Sequence, residues 1–214
     1  MKPKILVTRE VFDDTLAFLA AHCEVESNQS DAAFSPDELA RRLAGKDGMV
    51  CCLTDVIDAK LLAAGDRLRV VSNIAVGYNN IDVAACARRG VIATNTPGVL
   101  TEATADIAMA LVLMVTRRLG EGERVIRGGS PWQWGMFYIL GAGIQGRQLG
   151  IIGMGDIGQA LARRARAFGM TIAYANRKPV DGAVERELDA TFMSQAELLA
   201  TSDVVSLNCP YSPA

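Results

Sequence analysis

The sequence predicts an α/β protein with two parallel sheets in two consecutive domains. Three observations carry this. Short apolar, β-branched runs alternate with helical patterns through the first hundred residues, which is the signature of a parallel sheet covered by helices. Pro97-Gly98 interrupts that alternation and marks a hinge. Beyond it, from Gln148 to Lys178, a strand, a glycine-rich turn, a helix and a second strand follow within a single βαβ unit.

In chain order, Lys4–Thr8 (KILVT) reads as a buried strand and Val11–Ala21 as the helix behind it. His22, the only histidine, ends that helix, where a cation is comfortable; no carboxylate or nucleophile motif flanks it, so it carries no expected catalytic role. Ser35-Pro36-Asp37-Glu38 starts a helix running to Gly45, with Ser35 as N-cap, Pro36 at N1 and Glu38 completing a capping box. Gly48–Leu53 is a strand, Asp58–Ala64 a short helix and Leu68–Ile74 a further strand. Asp82–Arg89 is a helix stopped by Gly90, and Val91–Thr94 another strand. The loop Ala75–Asn80 leaves a strand end, the edge at which ligands meet open α/β sheets. Gly77 there either lets backbone N–H groups face an anion or serves an ordinary turn.

Thr101–Thr116 is the most apolar helix and is expected to bury both of its sides, one of them in a subunit interface. Thr104 and Asp106, in its first turns, either face a ligand or cap the helix. Arg117–Gly146 reads as a charged, glycine-rich connection. Its Trp132 and Trp134 need a surface, either this chain's core or, as favoured here, a partner chain.

Gly153, Gly155 and Gly158 form G-x-G-x-x-G between the strand Leu149–Ile152 and a helix that places Ile157, Leu161, Ala165 and Phe168 on one face. In that context the first glycine permits the tight turn, the second lets backbone approach a pyrophosphate, and the third lets helix and strand pack closely. The helix N-terminus adds free N–H groups and positive partial charge. Gly169 closes the helix and Thr171–Ala175 is the second strand. An acidic residue after that strand would select NAD. Asn176, Arg177 and Lys178 stand there instead, so NADP is favoured and NAD stays open, the other reading of the two cations being solvated loop charges. Asp156 places a carboxylate in the phosphate turn, favourable to the helix dipole but repulsive to a pyrophosphate if aimed inward. Ser194–Ala200 is then a helix and Asp203–Leu207 a third strand.

Composition narrows the partners. The 214 residues, 50% hydrophobic and 21% charged, suffice for one large or two small globular domains. A net charge of −2 gives no support to nucleic acid or an anionic membrane as a partner. The five cysteines (Cys23, Cys51, Cys52, Cys86, Cys209) form no C-x-x-C pair and scatter through apolar segments, as reduced core residues do, and no metal site is expected. Charge comes too early in MKPKILVTRE for a signal peptide, and the longest apolar run, Ile107–Val115, is too short to span a bilayer. The expected location is the cytoplasm.

Taken together, VSNIAVGYNNIDVAACARRGVIATNTPGVLTEATADIAMALVL, the GMGDIG turn, YANRK and VVSLNCPYSP resemble the D-isomer-specific 2-hydroxyacid dehydrogenases, above all their glyoxylate and hydroxypyruvate reductase branch. The resemblance covers essentially the whole chain. It implies a flavodoxin-like substrate domain at 1–97 and a Rossmann-type NAD(P)-binding domain at 98–214, of which only the first half is present. It further implies that the N–H groups of Val76 and Gly77 hold a substrate carboxylate and that Thr104 lies near the nicotinamide. Gly155, Asp156 and Ile157 would lie along the pyrophosphate, Asn176, Arg177 and Lys178 around a 2′-phosphate, and Cys209 and Pro210 on the adenosine side. Asp156 departs from the basic or neutral residue more usual there.

The implied chemistry is hydride transfer to a small 2-ketoacid by a homodimeric enzyme. Its arginine, glutamate and histidine lie, in the family, beyond the third strand of the nucleotide domain. No histidine follows His22, so the chain is expected to be an N-terminal portion that is inactive alone, with the first nucleotide-domain strand left open along one edge. The alternatives are a non-catalytic NAD(P)-binding or dimerisation module and an enzyme of phosphoglycerate dehydrogenase type.

Overall fold

A computed structural model describes residues 2–129 and 131–210, so Tyr211–Pro213 of the last motif lie outside the described residues. The chain divides into two compact units, Met1–Val99 and Leu100–Ala214.

In the first unit β1 (Lys4–Val7), β2 (Glu24–Ser27), β3 (Gly48–Cys51), β4 (Val70–Asn73) and β5 (Ile92–Thr94) form one parallel sheet in the order β2-β1-β3-β4-β5. That is the flavodoxin-like order, with its switch point between β1 and β3. The helices are α1 (Asp13–His22), α2 (Pro36–Leu43), α3 (Ala59–Ala64) and α4 (Val83–Arg88). Leu6, Leu43, Met49, Ile57, Leu62 and Val71 form the core, each fully buried side chain of this size stabilising by about 1.5–3 kcal/mol.

Three local expectations need correction here. β2 had gone unseen because Glu24-Val-Glu-Ser holds a single apolar residue. It forms as an edge strand on β1, where charged side chains can face water. The Glu26 carboxyl is held below the usual carboxylate range, first by its hydrogen bond to Lys46 and then by Arg42. Ser35 caps α2 through Glu38 N, but Glu38 turns to Arg42 instead of closing a capping box. α1 buries none of its residues, and Phe12 and Phe18 face out.

The second unit contains α5 (Thr101–Thr116), α6 (Leu119–Arg127), β6 (Gln148–Ile152), α7 (Asp156–Ala167), β7 (Thr171–Ala175), α8 (Gly182–Leu188), β8 (Ala190–Phe192), α9 (Gln195–Thr201) and β9 (Val204–Leu207). Its sheet is parallel throughout, in the order β8-β7-β6-β9. The order corrects the strand count, because β8 is a fourth strand that three residues were too few to announce. It also moves the open edge. β6 is paired on both sides, and among the described residues β9 has only β6 as a neighbour.

α5 buries only Ala105, Met109 and Val112, so one side is covered and Ile107, Leu111 and Val115 on the other stay exposed. Arg164 of α7 clamps the start of α5 by pairing with Glu102 at 2.8 Å and Asp106 at 2.6 Å. On α7 itself Leu161 and Ala165 are buried as expected, but Phe168 lies past the last turn and is exposed. The supposed connection after α5 contains α6, which Gly120 and Gly122 had disguised, each costing a helix about 1 kcal/mol relative to alanine. Ion pairs of Arg118 with Glu121 and of Arg127 with Glu123 support it. Trp132 stacks on Tyr138 with ring centroids 6.1 Å apart, while Trp134 remains 80% exposed. No helix among the described residues is long and apolar enough to cross a membrane.

Candidate functional site: a nucleotide cleft and an anion-receptive loop

A cleft of about 920 Å³ opens at the carboxyl edge of the second sheet. Its walls are the glycine turn, Asn176–Lys178 after β7, Phe192–Gln195 between β8 and α9, and Asn208–Pro210 after β9. The turn works by close approach. Gly153 has φ +102°, and a Cβ there would stand 2.6 Å from the carbonyl carbon of Asn208 and the nitrogen of Cys209. A Cβ on Gly158 would run into the Gly153 carbonyl oxygen. Gly155 differs, since a Cβ on it would meet nothing within 4 Å. Its outward side is therefore open space beside the cleft, and Gly155 is also the N-cap of α7.

The predicted positions divide. Gly153, Gly155, Asn176, Arg177, Lys178, Cys209 and Pro210 are brought together around the cleft. Asp156 is exposed on the first turn of α7 and is not among the residues that line the cleft. Ile157 is half-buried and Gly158 buried behind the turn. Thr104 lies elsewhere, in a groove of about 620 Å³ between the exposed side of α5 and β9. Asn208 lines both spaces.

Asn176 does more than omit a charge. Its Oδ1 accepts from the Met154 N–H at 2.8 Å, which ties the end of β7 to the glycine turn. Arg177 and Lys178 are exposed at the cleft, and neither joins an ion pair among the described residues. Phe192 and Met193 went unrecognised as part of the wall because β8, which ends at Phe192, was unrecognised, and Ser194 and Gln195 open the expected helix without any sign of lining a cleft.

In the first unit the loop after β4 has an orienting network. Asn95 Nδ2 donates to the Val76 carbonyl at 2.8 Å and Asn73 Nδ2 to the Gly77 carbonyl at 2.9 Å. With both carbonyls engaged on the protein side, the N–H groups of Val76 and Gly77 donate to nothing among the described residues. The loop thus presents two adjacent N–H donors with no acceptor among the described residues. Beneath it lies a buried polar cluster. Asp55 (3% exposed) accepts from Thr8 Oγ1 at 2.5 Å and from Cys52 N at 2.9 Å, and pairs with Arg9 (6% exposed) at 3.2 Å. Asn80 Nδ2 then donates to the carbonyls of Cys52 and Asp55, joining the loop to that cluster. Asn73, an amide inside an apolar strand, was the sequence signal for this network; Asp55, in an ordinary turn, gave none.

These features define an α/β protein with a Rossmann-like nucleotide-binding unit. Residues 109–214 match the family model "D-isomer specific 2-hydroxyacid dehydrogenase, NAD binding domain". A solved D-isomer specific 2-hydroxyacid dehydrogenase from Polaromonas, itself described as putative, is 36% identical, with a TM-score of 0.91 over 100% of this chain and 67% of its own. A solved protein from Thermus thermophilus is 40% identical, with a TM-score of 0.89 over 98% of this chain and 66% of its own. The chain belongs to the D-isomer specific 2-hydroxyacid dehydrogenase family. Among curated relatives, the glyoxylate reductases of Thermococcus onnurineus and Korarchaeum cryptofilum are 44% and 43% identical over 98% of this chain. The chain spans 64% and 63% of their lengths.

Proposed function

We propose that the chain is the N-terminal portion of an NADP-preferring 2-ketoacid reductase acting on glyoxylate or hydroxypyruvate. The observation that carries the cofactor choice is the pair Arg177 and Lys178, two cations without ion-pair partners among the described residues, at a cleft whose glycine turn leaves open space at Gly155. The identity to named glyoxylate reductases supports the substrate class. The boundary between a substrate domain at 1–97 and a nucleotide domain from 98 onward is part of the same reading.

The residues present fit a bound dinucleotide. Backbone N–H groups at the start of α7 receive the pyrophosphate beside Gly155, and Arg177 and Lys178 receive a 2′-phosphate through charge-assisted hydrogen bonds. Cys209 and Pro210 form the wall on the adenosine side. When bound, the cofactor supplies a hydride to C2 of the ketoacid. Val76 and Gly77 hold the substrate carboxylate on their free N–H groups, which orients C2 and costs little reorganisation because Asn73 and Asn95 already fix the loop. Thr104 is assigned to the nicotinamide end.

A proton donor must complete the reduction. His22 is exposed at the end of α1 and packs edge-on against Phe18, and we assign the catalytic arginine, glutamate and histidine to sequence that follows in the whole protein. The 214-residue chain alone is then inactive. The exposed Trp134, Met136 and Phe137 support a homodimer.

The test is nucleotide titration together with turnover. NADPH should bind the chain more tightly than NADH, and Arg177→Glu with Lys178→Glu should weaken NADPH far more than NADH. The complete gene product should oxidise NADPH with glyoxylate, and the 214-residue chain should not. Equal loss of both nucleotides would remove the basic pair from phosphate recognition, and turnover by the chain alone would refute the assignment of the proton donor.

A further inference from the structure

Tyr174 is used by neither the fold core alone nor the cleft lining. It is fully buried in β7, and its ring packs on Phe192, a cleft residue, with centroids 5.4 Å apart. Its hydroxyl, however, is doubly engaged. It donates to Glu185 Oε1 of α8 at 2.6 Å and accepts from the backbone N–H of Val180 at 2.9 Å. A carboxylate only accepts, so Glu185 accepts the phenolic O–H and leaves the oxygen lone pairs to Val180.

The consequence lies in the short loop between β7 and α8. Its first residue, Asn176, is tied to the glycine turn through Met154 N, and Val180, near its end, is tied to Tyr174. Asp181 then caps α8 by accepting from Ala183 N at 2.7 Å. Between the two ties stand only Arg177, Lys178 and Pro179, and the proline restricts the backbone further. Two long cationic side chains thus rise from a backbone pinned on both sides of them. We propose that Tyr174, oriented by Glu185, is a positioning residue for 2′-phosphate recognition, holding Arg177 and Lys178 in the geometry that distinguishes NADPH from NADH. This rests on the NADP reading above. The physical basis is preorganisation: a loop already ordered does not lose its freedom when the phosphate binds, and the two cations converge on it together.

The test compares NADPH and NADH dissociation constants for the intact chain, for Tyr174→Phe and for Glu185→Ala, with amide hydrogen exchange at Val180 read in parallel. Tyr174→Phe keeps the ring on Phe192 and deletes both hydrogen bonds. Loss of a buried, charge-linked hydrogen-bond pair should weaken NADPH by about tenfold and NADH by less than about twofold, and Val180 should lose its exchange protection. Glu185→Ala should shift the ratio in the same direction by a smaller factor, and it carries the test if Tyr174→Phe does not fold. A merely structural tyrosine would weaken both nucleotides together and leave the ratio unchanged. An unvaried chain that prefers NADPH, with variants that keep its full preference, overturns this inference alone. An unvaried chain that binds both nucleotides equally, or neither, overturns the NADP reading and this inference with it.

Discussion

Substituting alanine at Gly155 and, separately, at Gly158 tests whether the glycine turn serves ligand or fold at each position. At Gly158 the added methyl would collide with the Gly153 carbonyl oxygen, a backbone atom that cannot rotate away. Overpacking of that kind costs about 1–3 kcal/mol, which for a unit of this size is several degrees of melting temperature per kcal/mol. At Gly155 the methyl meets nothing within 4 Å, and φ −79° is ordinary for alanine. The only folded-state cost there is the poorer N-cap, about 1 kcal/mol or less. Under the proposed nucleotide site the ligand should feel the opposite order, because the methyl on residue 155 would take the space assigned to the pyrophosphate and separate it from N–H groups at the start of α7. Charge-assisted hydrogen bonds contribute about 1.5–3 kcal/mol each, so losing one weakens nucleotide binding by roughly tenfold to a hundredfold. The assay is thermal unfolding beside nucleotide titration for both variants. Gly155→Ala should melt close to the parent and bind poorly, and Gly158→Ala should melt lower. If Gly155→Ala destabilises as much as Gly158→Ala, or binds NADPH unchanged, the division of roles drawn from the Cβ geometry is wrong.

Three further outcomes follow from named groups. Asp55→Ala strands Arg9 without its buried partner, and urea unfolding of the first unit should show a loss of about 3–5 kcal/mol. Among the cysteines, Cys209 is exposed at the cleft and should be alkylated readily and be protected by NADPH. Cys51 should stay unmodified in the native chain because burial pushes its thiol up to about 12. Burial, and then the hydrogen bond to Glu185, also push the Tyr174 phenol up to about 12 from its ordinary value near 10. Its proton is held more tightly folded than unfolded, so this stabilisation is complete below about pH 10 and is lost as pH rises toward about 12. Tyr174→Phe should therefore be less stable than the parent below about pH 10, the difference should shrink between about pH 10 and 12, and one late phenolate absorbance step should be removed.

Much of this architecture was legible from the chain because parallel strands buried on both faces must be continuously apolar. The runs Ile5–Val7, Leu149–Ile152 and Ile172–Ala175 admit little else. What escaped were elements whose reasons lie outside themselves. Glu24–Ser27 and Ala190–Phe192 are strands because β1 and β7 offer them unpaired backbone, and neither shows an apolar run of its own. α6 was hidden by two glycines and is supported by ion pairs that local pattern reading undervalues. At the site the glycine turn was readable because each glycine answers a separate steric demand. Asp55 and Tyr174 were not, since each acts through a partner that the fold brings from a distant or non-periodic position. The open edge was misassigned for a related reason: a neighbour on the far side of β6 is a fact of topology, and local sequence carries no mark of it.

The contact between Gly153 and Asn208-Cys209 joins parts of the chain that lie far apart in sequence. β6 meets β7 across a single helix, a local closure that can form early, whereas β9 joins β6 only after α8, β8 and α9 have been laid down. The backbone that walls the turn at Gly153 arrives with β9. A chain caught before that late step holds its fingerprint glycines in place around a cleft that lacks one side. Nucleotide bound to the finished cleft is then expected to oppose undocking of β9, because the residues after β9 form one of its walls.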